Sequence, residues 1–390
     1  MKIFLPVIIL ISAILYTGCE TRPDLDSEIQ VVSLDSEEIE KIRQEKFDLK
    51  LSAEYHDSLF IEQVPAVDID SKGQVYVAGE RHQIRSVYVY SPEGELLDTL
   101  GRYGDGPGEF ESIFNIQIVD NSLYVFDDQL RRVTQFDLSD QTIKDVVEFD
   151  ESIVRELEDS VEFFPTPIEN WDEGRYLIEY KDDQNPALHS DRIQFYSLGD
   201  ENGNISDKDL FELKSENYLV GDHAGRPTAF LLPYPERSLI TSIENRKFYT
   251  AWSEQFEIQE RDTSGSAVKI LTYPYQRSPL DSEKLVSEQY SHNRQLQLTR
   301  ESAEYPSEWP AIYTILQDDS GQIWVALIPE DESSYEWWIL DPSKTENVVH
   351  AIFSWPRKSL FAKISNGSVY AVEPDDDGFR KIVRYTIDSD

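Results

Sequence analysis

From residue 47 onward the apolar positions gather in short runs rich in Val, Ile, Tyr and Phe, and Gly, Pro, Asn and Asp divide the runs. Such runs predict strands, and almost no long stretch carries the helical period. The runs come in sets. Val64–Asp70, Gln74–Ala78, Ser86–Tyr90 and Glu95–Leu100 form one set, with turns at Ser71-Lys72-Gly73 and Ser91-Pro92-Glu93-Gly94. Asn115–Val119, Ser122–Phe126, Arg132–Phe136 and Lys144–Phe149 repeat the same order. A four-stranded unit recurring every roughly 40 to 50 residues predicts propeller blades.

More divergent units follow. The third holds Arg175–Tyr180 and Arg192–Tyr196, and the fourth Ser238–Thr241, Lys247–Trp252 and Phe256–Glu260. Tyr313–Leu316, Gln322–Leu327 and Trp337–Leu340 belong to the fifth, and Leu360–Ile364, Ser368–Val372 and Lys381–Ile387 to the sixth. The sixth lacks an outer strand, while Phe47–Ala53 precedes the first unit unassigned. Pairing the two would close the ring and satisfy an otherwise open edge. The expectation is an all-β, six-bladed β-propeller over 47–390, closed by an N-terminal strand; five or seven blades stay open because the third and fourth units carry long loops. Residues 279–303 break this pattern, and their helix formers predict a helical insertion between the fourth and fifth blades.

The N-terminus has a different pattern. Lys2 precedes an apolar stretch from Ile3 to Leu15, which ends in Tyr16-Thr17-Gly18-Cys19. That stretch is short for a membrane span, and small residues at its end mark residues 1–18 as an export signal. Residues 19–46 are polar and predict a loosely packed linker, with a short helix begun by Ser36 as its N-cap. Cys19 is the single cysteine, so the exported chain has no internal disulfide, and its thiol lies where a lipid would be attached. Two acyl chains would anchor the body stably to a membrane.

Composition narrows the function classes. Against 36 Lys and Arg stand 75 Asp and Glu, a net charge of −39 that repels phosphate backbones, so nucleic acid is excluded as a partner. No Gly-x-Ser-x-Gly elbow and no two-His helix motif occurs.

Two resemblances add to this reading. Thr17-Gly18-Cys19 after the apolar stretch resembles the lipobox of bacterial lipoproteins, departing from it at Tyr16 where Leu is usual. Gly101-Arg-Tyr-Gly-Asp-Gly-Pro-Gly-Glu-Phe110, followed by Leu123-Tyr-Val-Phe-Asp-Asp and Arg132-Val-Thr-Gln-Phe136, resembles the NHL-type repeat. The wider likeness is to NHL-like six-bladed propeller lipoproteins of Gram-negative bacteria, which implies the architecture and a cell-envelope address, periplasmic or surface-facing. Gly101, Gly104, Gly106 and Gly108 are read as turn formers where one blade passes to the next, not as a phosphate cradle.

Candidate chemistry is confined to loops on one face, those joining second to third strands and one blade to the next. Arg81, His82, Asp127, Asp128 and Arg132 form the candidate ligand-binding set there; Glu80, Lys181-Asp182-Asp183-Gln184, Glu330-Asp331-Glu332 and Asp375-Asp376-Asp377 complete a largely acidic rim that would attract a divalent cation or a cationic ligand. Asp68–Gly73 and Asp318–Trp324 superficially match calcium loops, but neither continues to the required acidic residue, so both are read as hairpin turns. The function expected is a lipid-anchored, extracytoplasmic binding module for a small ligand or an envelope protein, without catalysis. The alternative resembles gluconolactonase-like propellers, metal-dependent enzymes with an acidic central site.

Overall fold

The computed structural model describes residues 29–55, 61–150, 152–156, 160–172, 174–181, 186–187, 192–206, 210–223, 225–241, 247–281, 284–285 and 303–388. Cys19 and the export signal lie outside them, as do Asp182-Asp183-Gln184 and most of the predicted helical insertion.

Six antiparallel sheets are arranged as blades. In blade 1 the strands from inside to outside are Gln63–Ile69, Val75–Arg81, Ile84–Tyr90 and Leu96–Leu100. Blade 2 repeats this with Ile113–Val119, Ser122–Asp127, Arg132–Asp137 and Ile143–Glu148. Blade 3 gains an inner strand, Pro165–Asp172, and an outer one, Phe211–Lys214, around Arg175–Lys181 and Ile193–Asp200. Ser238–Ile240, Lys247–Trp252, Glu257–Asp262 and Ala267–Thr272 make blade 4. Blade 5 comprises Ile312–Gln317, Ile323–Leu327, Ser334–Leu340 and Val349–Pro356, and blade 6 Leu360–Ser365, Ser368–Pro374 and Arg380–Asp388.

Asp48–Tyr55 pairs antiparallel with Arg380–Asp388 and becomes the outer strand of blade 6, so the ring is closed by the strand the sequence left over. Tyr55 ends that strand wedged between blades 6 and 1. Its ring centroid lies 6.0 Å from that of Tyr90 and 6.3 Å from that of Tyr370, and its hydroxyl donates to the Pro92 carbonyl at 3.2 Å. Burying a side chain of that size is worth roughly 2 to 3 kcal/mol. The neighbouring turn approaches closely: Gly94 has φ +99°, and a Cβ there would sit 2.6 Å from the Glu54 carbonyl oxygen of the closing strand.

The segment expected to be a loose linker is instead part of the fold over residues 30–42. Gln30–Ser33 adds to blade 4 as a fifth, outermost strand, parallel to Ala267–Thr272. A helix, Ser36–Ile42, follows and packs beside blade 5, with Asp35 rather than Ser36 as its cap: the Asp35 carboxylate accepts from the amides of Glu37 and Glu38. Val32, Leu34, Ile39 and Ile42 join one buried cluster with Tyr249, Phe256 and Leu271 of blade 4 and Trp338 and Val349 of blade 5. The N-terminal arm thus runs around the perimeter from blade 4 to blade 6.

Turns on one face share a device. Asp70 accepts from the amides of Lys72 and Gln74, Asp262 from those of Ser264 and Ser266, and Asp318 from those of Ser320 and Gln322. These carboxylates are spent on the backbone, which makes both calcium-like sequences hairpin turns.

Candidate functional site

Inner strands are linked around the ring by polar side chains. Lys363 of blade 6 pairs with Asp68 of blade 1 at 3.0 Å, and Asp68 also accepts from the Ile118 amide of blade 2 at 2.6 Å. Gln117 of blade 2 donates to Glu169 of blade 3 at 3.2 Å, Thr241 of blade 4 to Gln317 of blade 5 at 3.4 Å, and Ser365 of blade 6 to Asp319 after the inner strand of blade 5 at 3.2 Å. Between blades 3 and 4 the inner strands instead flank a cavity of about 430 Å³, a size suited to a small ligand.

Its walls come from three blades. Phe114 and Asn115 stand on the inner strand of blade 2, Ile168 and Glu169 on that of blade 3, and Ser238, Ile240 and Thr241 on that of blade 4 or at its end. Glu179 and Lys181 come from the second strand of blade 3, and Gln194 and Tyr196 from the third. Glu216, Leu231 and Pro235, on the long connection from blade 3 to blade 4, and Arg237 at its end complete the lining. A second cavity of about 320 Å³ shares Phe114, Glu179 and Lys181 and extends to Asp128, Gln129, Arg131 and Phe164. Both open on the face that carries the second-to-third-strand loops and the connections between blades.

Polar groups of the cavity wall are joined to one another. Gln194 Nε2 donates to the Tyr196 hydroxyl at 2.9 Å, which donates to Glu179 Oε1 at 2.9 Å, and Lys181 Nζ lies 3.4 Å from Glu179 Oε2. Glu179, Gln194 and Tyr196 are buried, so their pairing removes the penalty that unpaired polar groups would incur there. Ionisation follows this geometry. Glu179 beside it holds the Lys181 ammonium above its usual range, against the effect of burial. Burial, then the Glu179 charge, pushes the Tyr196 phenol well above its own. Burial raises the Glu216 carboxyl, but its own backbone amide, Lys181, Tyr218 and Arg192 together outweigh this and leave it below the usual range.

The residues predicted from sequence lie elsewhere, with two exceptions. Lys181 lines both cavities and Asp128 the smaller one. Asp127 is fully buried and accepts from the amides of Glu111 at 2.8 Å, Gln129 at 3.1 Å and Leu130 at 2.9 Å, so its carboxylate joins two loops. Burial nevertheless keeps that carboxyl above its usual range, partly offset by these amides. Arg132 is buried and donates to the carbonyls of Asp105 and Gly106, each at 2.7 Å, and to that of Glu109. It clamps the Gly-rich connection, in which Gly101, Gly104 and Gly108 take positive φ and Gly106 does not. Arg81 turns toward blade 6, its guanidinium 5.6 Å from the Phe379 ring centroid and 3.9 Å from Glu62. His82 is 79% exposed at a turn with φ 49°. Two carboxylates of the acidic rim are likewise committed to turns: Asp331 accepts from Ser333 and Ser334, and Asp375 from the amides of Asp377 and Phe379.

Among the described residues no three His, Cys, Asp or Glu side chains are grouped so as to hold a metal ion. The divalent cation of the enzyme alternative therefore finds no donor set among them. No helix among the described residues is long and apolar enough to cross a membrane.

Apart from Lys181 and Asp128, the cavity residues are not among those the sequence pointed to. The available signal was a carboxylate or amide amid apolar neighbours, as in Leu177-Ile178-Glu179-Tyr180, where the alternation places Glu179 on a face it would not otherwise occupy.

A family model described as a 6-bladed beta-propeller matches residues 21–257. A solved protein of the DUF4221 family from Bacteroides vulgatus is 10% identical with a TM-score of 0.52, the match covering 89% of this chain and 99% of that one. An exported-protein candidate from Bacteroides fragilis is 13% identical with a TM-score of 0.48, over 92% of this chain and all of that one. No protein with a curated description matches the chain.

Proposed function

The chain belongs to the six-bladed β-propeller family DUF5128, and on that premise we propose that it is a binding module, held outside the cytoplasm by a lipid on Cys19, that takes a small polar ligand between blades 3 and 4 and leaves it chemically unchanged. The observation that carries this reading is the chain of contacts Gln194–Tyr196–Glu179–Lys181 in the cavity wall. A general acid or base works best with an ionisation near the operating pH, and a nucleophile needs a partner that withdraws its proton. Here Lys181 stays an ammonium, Tyr196 a phenol and Glu216 a carboxylate across neutral pH, because each displacement leads away from neutrality. Groups so fixed offer donors and acceptors in set positions, which suits recognition.

The direction of the N-terminal arm supports the tether. Gln30–Ser33 runs parallel to the outer strand of blade 4, so Gln30 lies at the face opposite the cavity mouth. The eleven residue steps from Cys19 to Gln30 span at most about 40 Å. A lipid on Cys19 would then hold the propeller with its cavity turned toward solvent.

The test is a thermal-shift screen of the mature chain against small polar metabolites, run beside Tyr196→Phe and followed by product analysis of each hit. The expected result is a compound that raises the melting temperature of the wild type, does so less for Tyr196→Phe, and is recovered intact. A hit converted to product at kcat/KM above about 10⁴ M⁻¹s⁻¹ would make the protein an enzyme. A hit unaffected by Tyr196→Phe would move binding away from this cavity.

A further inference from the structure

We propose that the ligand of this cavity carries a carboxylate received by Arg237, together with hydrogen-bond donors that meet the cavity's glutamates; the inference rests on the cavity being the binding site. With 75 acidic residues against 36 basic ones, an arginine readily finds a carboxylate, yet Arg237 has none within ion-pair distance among the described residues. Two other arginines with no carboxylate within ion-pair distance among the described residues, Arg132 and Arg357, are held by several acceptors each. Arg132 donates to three carbonyls, and Arg357 to three carbonyls and the Tyr234 hydroxyl. Arg237 makes one guanidinium hydrogen bond among the described residues, from Nη2 to the Tyr313 carbonyl at 3.3 Å. A guanidinium presents five donors in a planar fork that matches a carboxylate bidentately, so most of this fork remains for a ligand in the cavity it lines.

The opposite wall selects the rest of the molecule. Glu169, Glu179 and Glu216 would repel a simple anion, so the ligand must bring hydroxyl or ammonium donors to them. Lys181 between Glu179 and Glu216 reduces that repulsion without abolishing it. Two sources share this chemistry: a sugar acid, whose donors are hydroxyls, and a short peptide, whose donors include an ammonium.

Calorimetry with the wild-type mature chain separates them, using galacturonate, galactose and the dipeptide Ala-Phe as probes. Galacturonate or the dipeptide is expected to bind, galactose at least tenfold more weakly, and whichever acid binds identifies the source. Arg237→Gln should lose roughly 10- to 100-fold in affinity for that acid, with Arg237→Lys intermediate, while both melt like the wild type without ligand. Equal binding of galactose and galacturonate, an unchanged affinity in Arg237→Gln, or no binding of either acid would overturn the inference. If galactose binds and Tyr196→Phe weakens it, the cavity stands as the site and the carboxylate alone is refuted.

Discussion

Replacing Ile39 by Ala tests whether the N-terminal arm is part of the folded body. Ile39 is fully buried in the cluster that joins blades 4 and 5. The substitution removes three carbons, each worth about 0.8 kcal/mol in transfer alone, and the void left between two sheets adds a further term. The sum is about 3 kcal/mol, which for a chain this long lowers the melting temperature by on the order of 4 °C. Val31→Ala is the internal control: Val31 is 61% exposed and Val32 beside it 7%. The assay is urea unfolding followed by tryptophan fluorescence, with limited proteolysis to detect release of residues 30–43. Ile39→Ala should lower the midpoint and speed cleavage within that segment, while Val31→Ala should do neither. A loss under about 1 kcal/mol for Ile39→Ala, or equal losses for the two, would refute the reasoning and return the segment to a loose linker.

Three further outcomes follow. Asp127→Ala leaves the amides of Glu111, Gln129 and Leu130 without their buried acceptor and should cost about 3 kcal/mol by urea unfolding, whereas Asp127→Asn, which keeps one acceptor oxygen, should cost less. The hydroxyl and amide of Ser139 hold the Asp137 carboxyl below its usual range, those of Ser333 do so for Asp331, and the folded state therefore binds fewer protons than the unfolded one below about pH 4. Stability from these two groups is present above that pH and lost as pH falls through their folded values, so Asp137→Asn/Asp331→Asn should flatten the acid side of a melting-temperature profile relative to wild type. The Glu80 carboxyl, held above its usual range chiefly by burial, has the opposite sign, and Glu80→Gln should lessen the loss of stability as pH rises from about 4 toward neutrality.

Blades 1 and 2 were legible because their apolar runs are short and evenly spaced and Gly or Asp marks nearly every turn, so length and punctuation agree. Closure was legible for a similar reason: a three-stranded last unit and a spare first strand imply one another. The parallel strand Gln30–Ser33 was not, because only Val32 of its four residues is buried, and such a pattern does not differ from that of a polar linker. In blade 3, Pro165 and Pro167 obscured the inner strand, though a strand facing the channel tolerates them. Asp127 and Arg132 show the limit of reading sites from loops. A charged residue in a turn looks the same in sequence whether it faces solvent or binds backbone, and here both are buried. The cavity was out of reach because Asn115, Glu169, Glu179, Tyr196 and Arg237 converge from three blades, and no local spacing records that approach.

The proposed ligand site lies between blades 3 and 4, on the face turned away from the proposed tether. A crystal structure of the mature protein with the compound giving the largest thermal shift tests it most directly. Density for that compound in contact with Lys181 and Arg237 is the predicted result; density at the opposite face or at His82, with only water between blades 3 and 4, would contradict it.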